Sequence, residues 1–226
     1  MDDAQLLRYS RHILLDELGP AAQAKFAAAH VLVVGMGGLG TPAAHFLAAA
    51  GVGEITICDA DHVDLTNLQR QELYATADIG MQKVDAAAQR LAAVNPDVRV
   101  TRVPARVAPD NLAPLVAAAD VVLDGCDNFA TRHAVNRACV AQAKPLVSGA
   151  AIRFDGQIAV FDTRDAQSPC YHCLFGEGEE IEETRCATMG VFAPLTGRLL
   201  LVDALAMRWR EVRVPRDPGC PVCGAG

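Results

Sequence analysis

Residues 31–40 read VLVVGMGGLG, an apolar run that breaks into Gly35-Met36-Gly37-Gly38-Leu39-Gly40. A buried strand followed at once by GxGxxG has a specific steric logic. Gly35 turns the chain tightly, Gly37 lets bare backbone approach a phosphate, and Gly40 lets the next helix pack close on the strand. The helix read over residues 41–50 then aims its first N–H groups at the anion. Glycine clusters also arise in turns for steric reasons alone, so context has to decide. A second β run, residues 54–58, ends at Asp59, which lies 24 residues after Gly35. That is the usual place for a ribose-binding carboxylate at the tip of the second strand. The duller reading of Asp59 is a solvated turn residue ahead of Asp61 and Asp64.

Outward from this βαβ unit the alternation continues. Residues 1–29 read as helix, with Leu7, Leu14 and Leu18 as an apolar stripe and Gly19-Pro20 as a break. Downstream come helix 82–94, stopped by Asn95-Pro96, strand 98–103, helix 111–118, strand 121–124, helix 129–143 and strand 145–148. From Arg153 the pattern becomes hairpin-like, with a turn at Phe154-Asp155-Gly156-Gln157, a strand over 157–161, and β runs at 199–202 and 207–214. The expected fold is α/β: a Rossmann-like doubly wound sheet, parallel in an N-terminal half (about residues 1–150) and mixed, antiparallel in a C-terminal half (about 151–226). One domain is expected to span 1–226. Residues 176–183, GEGEEIEE, read as a polar, mobile loop.

At 226 residues, with 51% hydrophobic and 21% charged residues, the chain describes an ordinary globule with a large core. No stretch has the length and apolarity of a membrane span, and a basic-then-apolar leader is not seen, so a cytoplasmic location is expected. The formal net charge of −7 argues against a nucleic-acid partner. Of eight cysteines, Cys58, Cys126 and Cys139 stand apart while the others crowd the last third.

Cys170-x-x-Cys173 is followed after 46 residues by Cys220-x-x-Cys223. Each pair lets two sulfurs reach one tetrahedral ion, and four thiolates make a closed structural zinc site. Independent or redox-active pairs remain the alternative. A polar cluster follows Asp59: Asn67-Leu68-Gln69-Arg70-Gln71, with Lys83 thirteen residues after Arg70. Asp127-Asn128 follows the strand 121–124. All are expected at the carboxyl ends of parallel strands, around one cleft. Arg70 and Lys83 suit the phosphates of a nucleoside triphosphate and Asp127 suits its Mg²⁺. Solvated surface charge is the duller account of the two cations, and helix capping that of Asp127-Asn128.

Taken together the motifs resemble the ThiF/MoeB/HesA family, bacterial relatives of ubiquitin-activating enzymes. The resemblance rests on RYSRHILLDELG at 8–19, VLVVGMGGLG, GVGEITICDAD, NLQRQ at 67–71, Lys83, LDGCDN at 123–128, PLVSGAAIRFDGQ at 145–157 and both CxxC pairs. It implies ATP-dependent adenylation of the C-terminal glycine of a small ubiquitin-like sulfur carrier ending in Gly-Gly, for molybdopterin or thiamine synthesis. It also implies an ATP site of Gly38, Asp59, Asn67, Arg70, Lys83, Asp127 and Asn128. Arg11 resembles a family arginine that reaches the nucleotide from the partner of a homodimer. Cys186, in ETRCATMG, stands where some relatives join the carrier covalently and others release the adenylate to a separate sulfur donor. Between Gly197 and Arg198 the chain lacks a helical crossover of roughly two dozen residues that the family pattern carries. Two rivals stay open: an NAD-dependent oxidoreductase sharing only the fingerprint, and a non-catalytic, zinc-stapled carrier-binding relative.

Overall fold

Apolar, β-branched runs become parallel strands in the first of two compact units, Met1–Ala105; the second is Arg106–Gly226. The computed structural model describes residues 1–176, 197–204 and 206–224. In the first unit β1 (His30–Val34), β2 (Glu54–Cys58) and β3 (Arg99–Val103) lie in the order β3-β2-β1. All pairs are parallel, with His30 opposite Glu54 and Glu54 opposite Arg99. The last four residues of β1 and of β2 are buried, as expected of parallel strands covered on both faces. Register brings Val34, Cys58 and Val103 level, so the glycine bend and Asp59 both leave from the carboxyl edge.

Helix α1 (Asp3–Arg8) opens with a capping box in which Asp2 accepts from the Gln5 N–H, and α2 (Ser10–Ile13) follows. Gly19-Pro20 does not close a helix but opens α3 (Gly19–Ala28), with proline in the first turn, where its missing N–H is no loss. The leucine stripe needs correcting too: Leu7 and Leu14 are 78% and 73% exposed and do not pack on this unit. Tyr9 is the buried anchor instead, its hydroxyl accepting from Asn95 Nδ2 at 2.7 Å. After β1 comes α4 (Gly40–Ala49), and α5 (Lys83–Val94) precedes β3.

A Cβ at Gly40 would overlap the carbonyl oxygen of Gly35, so the first turn of α4 lies directly on the bend. Gly40→Ala is therefore expected to cost about 1–3 kcal/mol or more through overpacking. Thermal unfolding checks this, and a wild-type melting temperature would refute the tight packing.

The second unit orders its strands β4-β5-β6-β7-β8: β4 (Val121–Asp124), β5 (Leu146–Ile152), β6 (Asp155–Phe161), β7 (Arg198–Asp203) and β8 (Arg208–Arg213). β4 and β5 are parallel, and every later pair is antiparallel. β5 runs beyond its expected end at Ser148, because residues 148–152 pair with β6 from Ala159 back to Asp155. The hairpin turn therefore falls on Arg153 and Phe154, with Arg153 at φ +56°, and Gly156 is a strand residue. Helices α6 (Pro109–Ala118), α7 (Phe129–Ala141) and α8 (Tyr171–Leu174) complete the unit. Leu146, Phe161, Val122, Val135 and Tyr171 are buried in its core. Among the described residues no helix is long and apolar enough to cross a membrane. Cys186 and all but the first residue of the acidic stretch 176–183 lie outside the described residues.

Candidate active site and metal centre

In the first unit the glycine bend is held from two sides. Gly35 takes φ +88°, which a side chain would oppose, and its N–H donates to Cys58 O at 2.9 Å. The next peptide is clamped: Met36 N–H donates to Asp59 Oδ2 at 2.7 Å, and Met36 O accepts from the Tyr74 hydroxyl at 2.9 Å. Beyond it the backbone is bare. A Cβ at Gly37 would meet only Gln71 Nε2, at 3.8 Å, and one at Gly38 would lie 3.5 Å from Arg70 Cγ. Open backbone at the start of a ten-residue helix is the electrostatic setting for a phosphate.

The two cations sit close to this bend in structure as well as in motif. Asp64 caps the short 3₁₀ turn Leu65–Asn67 through Thr66 N–H at 2.8 Å, and Asn67 O accepts from Arg70 N–H at 3.1 Å. That turn sets Arg70 across the face of Gly38, with its guanidinium exposed and Nη1 donating to Thr66 O at 3.1 Å. Lys83 is the first residue of α5 and only 5% exposed. A buried cation at a helix N-terminus adds to the positive end of the dipole, which is the wrong sign for helix stability. Asp61 offsets it, accepting from Lys83 Nζ at 3.1 Å. Asp61 N–H in turn donates to Asp59 Oδ1 at 2.8 Å, so Met36, Asp59, Asp61 and Lys83 form one bonded series. Arg11, on α2, is exposed.

Gln71 closes the polar cluster 67–71 read from the sequence, whereas Tyr74 was not singled out there. Burial, then the charges of Asp59 and Asp78, push the Tyr74 phenol up, so it stays a proton donor to Met36 O. Gln71 is 3% exposed with Oε1 unpartnered, beside Gly37. Tyr74→Phe keeps the ring and removes the clamp. We expect a roughly fivefold rise in KM for ATP and a loss of about 1 kcal/mol in stability, the scale of one buried hydrogen bond. Steady-state kinetics and thermal unfolding read the two effects, and an unchanged KM would show that the bend holds without the hydroxyl.

In the second unit the loop 125–128 leaves the carboxyl end of β4. Asp124 is 1% exposed and accepts from Cys126 N–H at 3.0 Å and Ser148 Oγ at 3.0 Å. Asn128 is the N-cap of α7, its Oδ1 accepting from Thr131 N–H at 2.9 Å, so the capping role weighed from sequence is present. Asp127 is exposed, with Asn128 Nδ2 3.4 Å from its Oδ1.

The four paired cysteines converge within this same unit, all sulfurs lying within 4.8 Å of one another. Cys170–Cys173, Cys170–Cys220 and Cys173–Cys223 are separated by 4.0, 3.7 and 3.5 Å. A tetrahedral ion with Zn–S bonds of about 2.3 Å requires sulfurs about 3.8 Å apart, so the donor set fits such an ion. At Cys220, burial raises the thiol, but the backbone of Cys223 and Val222 and the Cys173 and Cys170 side chains outweigh it, bringing it to about 6. Burial is also the main cause that pushes Cys170 up. Crowded sulfurs of opposite tendency are what a metal resolves, since every ligand thiol must be ionised. Burial, then nearby Asp59 and Asp124 respectively, push Cys58 and Cys139 up to about 12, which leaves both inert as nucleophiles.

A glycine bend, a carboxylate after the second strand, two cations beside the bend and four converging cysteines that could hold a metal ion are the marks of an α/β protein of the nucleotide-binding class. The chain belongs to the ThiF family, whose profile matches residues 9–199. It is 42% identical to the sulfur carrier protein ThiS adenylyltransferase of Escherichia coli, over 99% of this chain and 97% of that one. It is 40% identical to the molybdopterin-synthase adenylyltransferase of the same organism, over 99% and 98%. In fold it is similar to E. coli MccB, with a TM-score of 0.80 at 23% identity, over 96% of this chain and 73% of that one. The ThiS adenylyltransferase alignment spans 246 residues, 20 more than this chain's 226, so that relative carries residues without a counterpart here.

Proposed function

We propose that the chain is an ATP-dependent adenylyltransferase acting on the C-terminal carboxylate of a ubiquitin-like sulfur carrier. The observation that carries the reading is the placement of Arg70 across Gly38, with Lys83 tied to the same bend through Asp61 and Asp59. A redox dinucleotide has no γ-phosphate and gives two cations there little to neutralise.

In the proposed reaction the carrier carboxylate attacks the α-phosphorus of ATP. The P–O bond to the β-phosphate breaks, pyrophosphate leaves, and an acyl-adenylate forms. No general base is needed, because a C-terminal carboxylate is ionised at neutral pH. Catalysis is alignment and charge stabilisation. Gly35, Gly37, Gly38 and Gly40 shape the phosphate bend, Asp59 holds the ribose, and Asn67, Arg70, Lys83 and Asn128 hold the polyphosphate. Asp127 would hold Mg²⁺, which offsets phosphate charge. Zinc on Cys170, Cys173, Cys220 and Cys223 is structural. We assign Arg11 to a second copy's nucleotide, the exposed Leu7, Leu14 and Leu15 on either side of it supplying a face for a homodimer. Sulfur arrives from a separate donor, after the adenylate has formed.

The test is carrier-dependent exchange of labelled pyrophosphate into ATP, with Mg²⁺ and a small carrier ending in Gly-Gly. Cys186→Ala should leave exchange within about twofold of wild type, because a covalent step follows adenylation. Loss of exchange in that variant would overturn this division of roles. The 20 residues by which the ThiS adenylyltransferase alignment exceeds this chain favour one rival, a carrier-binding relative without activity. Carrier binding with no exchange would establish that rival.

A further inference from the structure

Helix α7 carries three polar residues at positions i, i+4 and i+8, Asn128, Arg132 and Asn136, hence on one face. The first caps the helix where the loop 125–128 ends. Arg132, 6% exposed, donates to Ser148 Oγ at 3.3 Å and to the carbonyl of Cys126, and lies 3.6 Å from Asp124 Oδ2. It therefore grips the loop from within. Asn136, fully buried, donates through Nδ2 to Cys170 Sγ at 3.5 Å and accepts at Oδ1 from Tyr171 N–H at 2.9 Å. Its neighbour His133 packs edge-on against Tyr171, with ring centroids 5.3 Å apart. One rigid helix thus touches the cysteine centre at Asn136 and the Asp127–Asn128 loop at its N-terminus.

A closed structural site needs no contact of this kind to a loop two helical turns away. The Asn136 amide meets Cys170 Sγ through Nδ2 and the N–H of the next residue, Tyr171, through Oδ1, so both of its ends are fixed to the first cysteine knuckle. Movement of Cys170 would release Asn136, and a helix free to shift would carry Arg132 and the N-cap with it. We propose that α7 transmits occupancy of the four-cysteine centre to the nucleotide site, with Asn136 and Arg132 as positioning residues for Asp127 and Asn128. This rests on the adenylation reading, in which those two residues meet the nucleotide.

The experiment uses the full chain and two equilibrium measurements. First, the affinity for α,β-methylene ATP with Mg²⁺ is measured by calorimetry on zinc-loaded protein and on protein stripped by a chelator that is then removed. Stripping is expected to weaken binding about tenfold, within the usual range of coupling between sites. Second, by reciprocity, saturating analogue should raise by the same factor the chelator concentration needed to extract half the zinc. Asn136→Ala should bind the analogue several-fold more weakly when loaded and respond no further to stripping. Equal affinities with and without zinc, or zinc extraction indifferent to the analogue, overturn the coupling and leave the adenylation reading standing. No analogue binding by loaded wild-type protein overturns both. The extraction measurement needs no variant, so a misfolded Asn136→Ala does not protect the proposal.

Discussion

Arg70→Ala is expected to lower carrier-dependent pyrophosphate exchange by about 10³-fold, the scale for removing one preorganised charge-stabilising donor. The melting temperature should move by no more than about 2 °C, because the guanidinium is exposed and surface substitutions seldom exceed about 0.5 kcal/mol. The two readouts separate because of where the side chain lies. Its stem covers Gly38 and Nη1 donates to Thr66 O, so the side chain is tethered beside the bend with its charged end exposed. As the carboxylate attacks and pyrophosphate departs, charge builds on oxygens that a fixed guanidinium can meet without reorganisation. Arg70→Lys keeps the charge and loses the planar fork, so an intermediate loss of about tenfold is expected. Arg99→Ala is the control: also an exposed arginine, it opens β3 at the amino end of the sheet and pairs with Glu54. If Arg70→Ala retained about half of wild-type exchange, a triphosphate would not be what this bend neutralises.

What the sequence disclosed, and what it hid, follows the range of the interactions involved. β2 has the limits read from the sequence, 54–58, because a strand whose last four residues are buried writes its limits into consecutive residues. β5 does not: Gly149, Ala150 and Ala151 carry little strand preference of their own and are extended only because β6 pairs with them. The N-terminal leucines have helical spacing, but periodicity does not say what a stripe packs on, and Leu7 and Leu14 meet no core in this unit. The bond between the glycine bend and Asp59, the nearness of Arg70 to Gly38 and the convergence of the paired cysteines were legible because each set of residues has a fixed local spacing. Tyr74, Arg132 and Asn136 were not, since each acts on a partner remote in sequence: Met36 at 38 positions, Ser148 at 16 and Cys170 at 34. Polar residues among other polar residues, as in TRHAVNR at 131–137, give no sign of which of them is buried or of the bond that justifies it.

Cys220→Ser should remove bound zinc from the purified protein and lower its melting temperature by roughly 10 °C. Thiolate sites hold zinc with about 10–16 kcal/mol at neutral pH, and part of that energy is folding energy. If about 3 kcal/mol reaches stability, a chain of this length loses on the order of 10 °C. The damage should be local, because apart from the β7–β8 ladder the described residues of the tail are tied mainly to one another. Val214 N–H donates to Gly197 O at 2.9 Å, Gly224 N–H to Cys220 O at 2.7 Å, and Arg216 to the Cys223 carbonyl. β8, all six of its residues exposed, adds little buried surface to hold the end of the chain. Hydrogen exchange should therefore quicken over residues 208–224 while β1 and β2 of the other unit keep their protection. Cys126→Ser, which alters a thiol outside the cluster, should leave metal content unchanged. A Cys220→Ser protein that kept a full equivalent of zinc and its wild-type melting temperature would mean that the four sulfurs are close for some reason other than a shared ion.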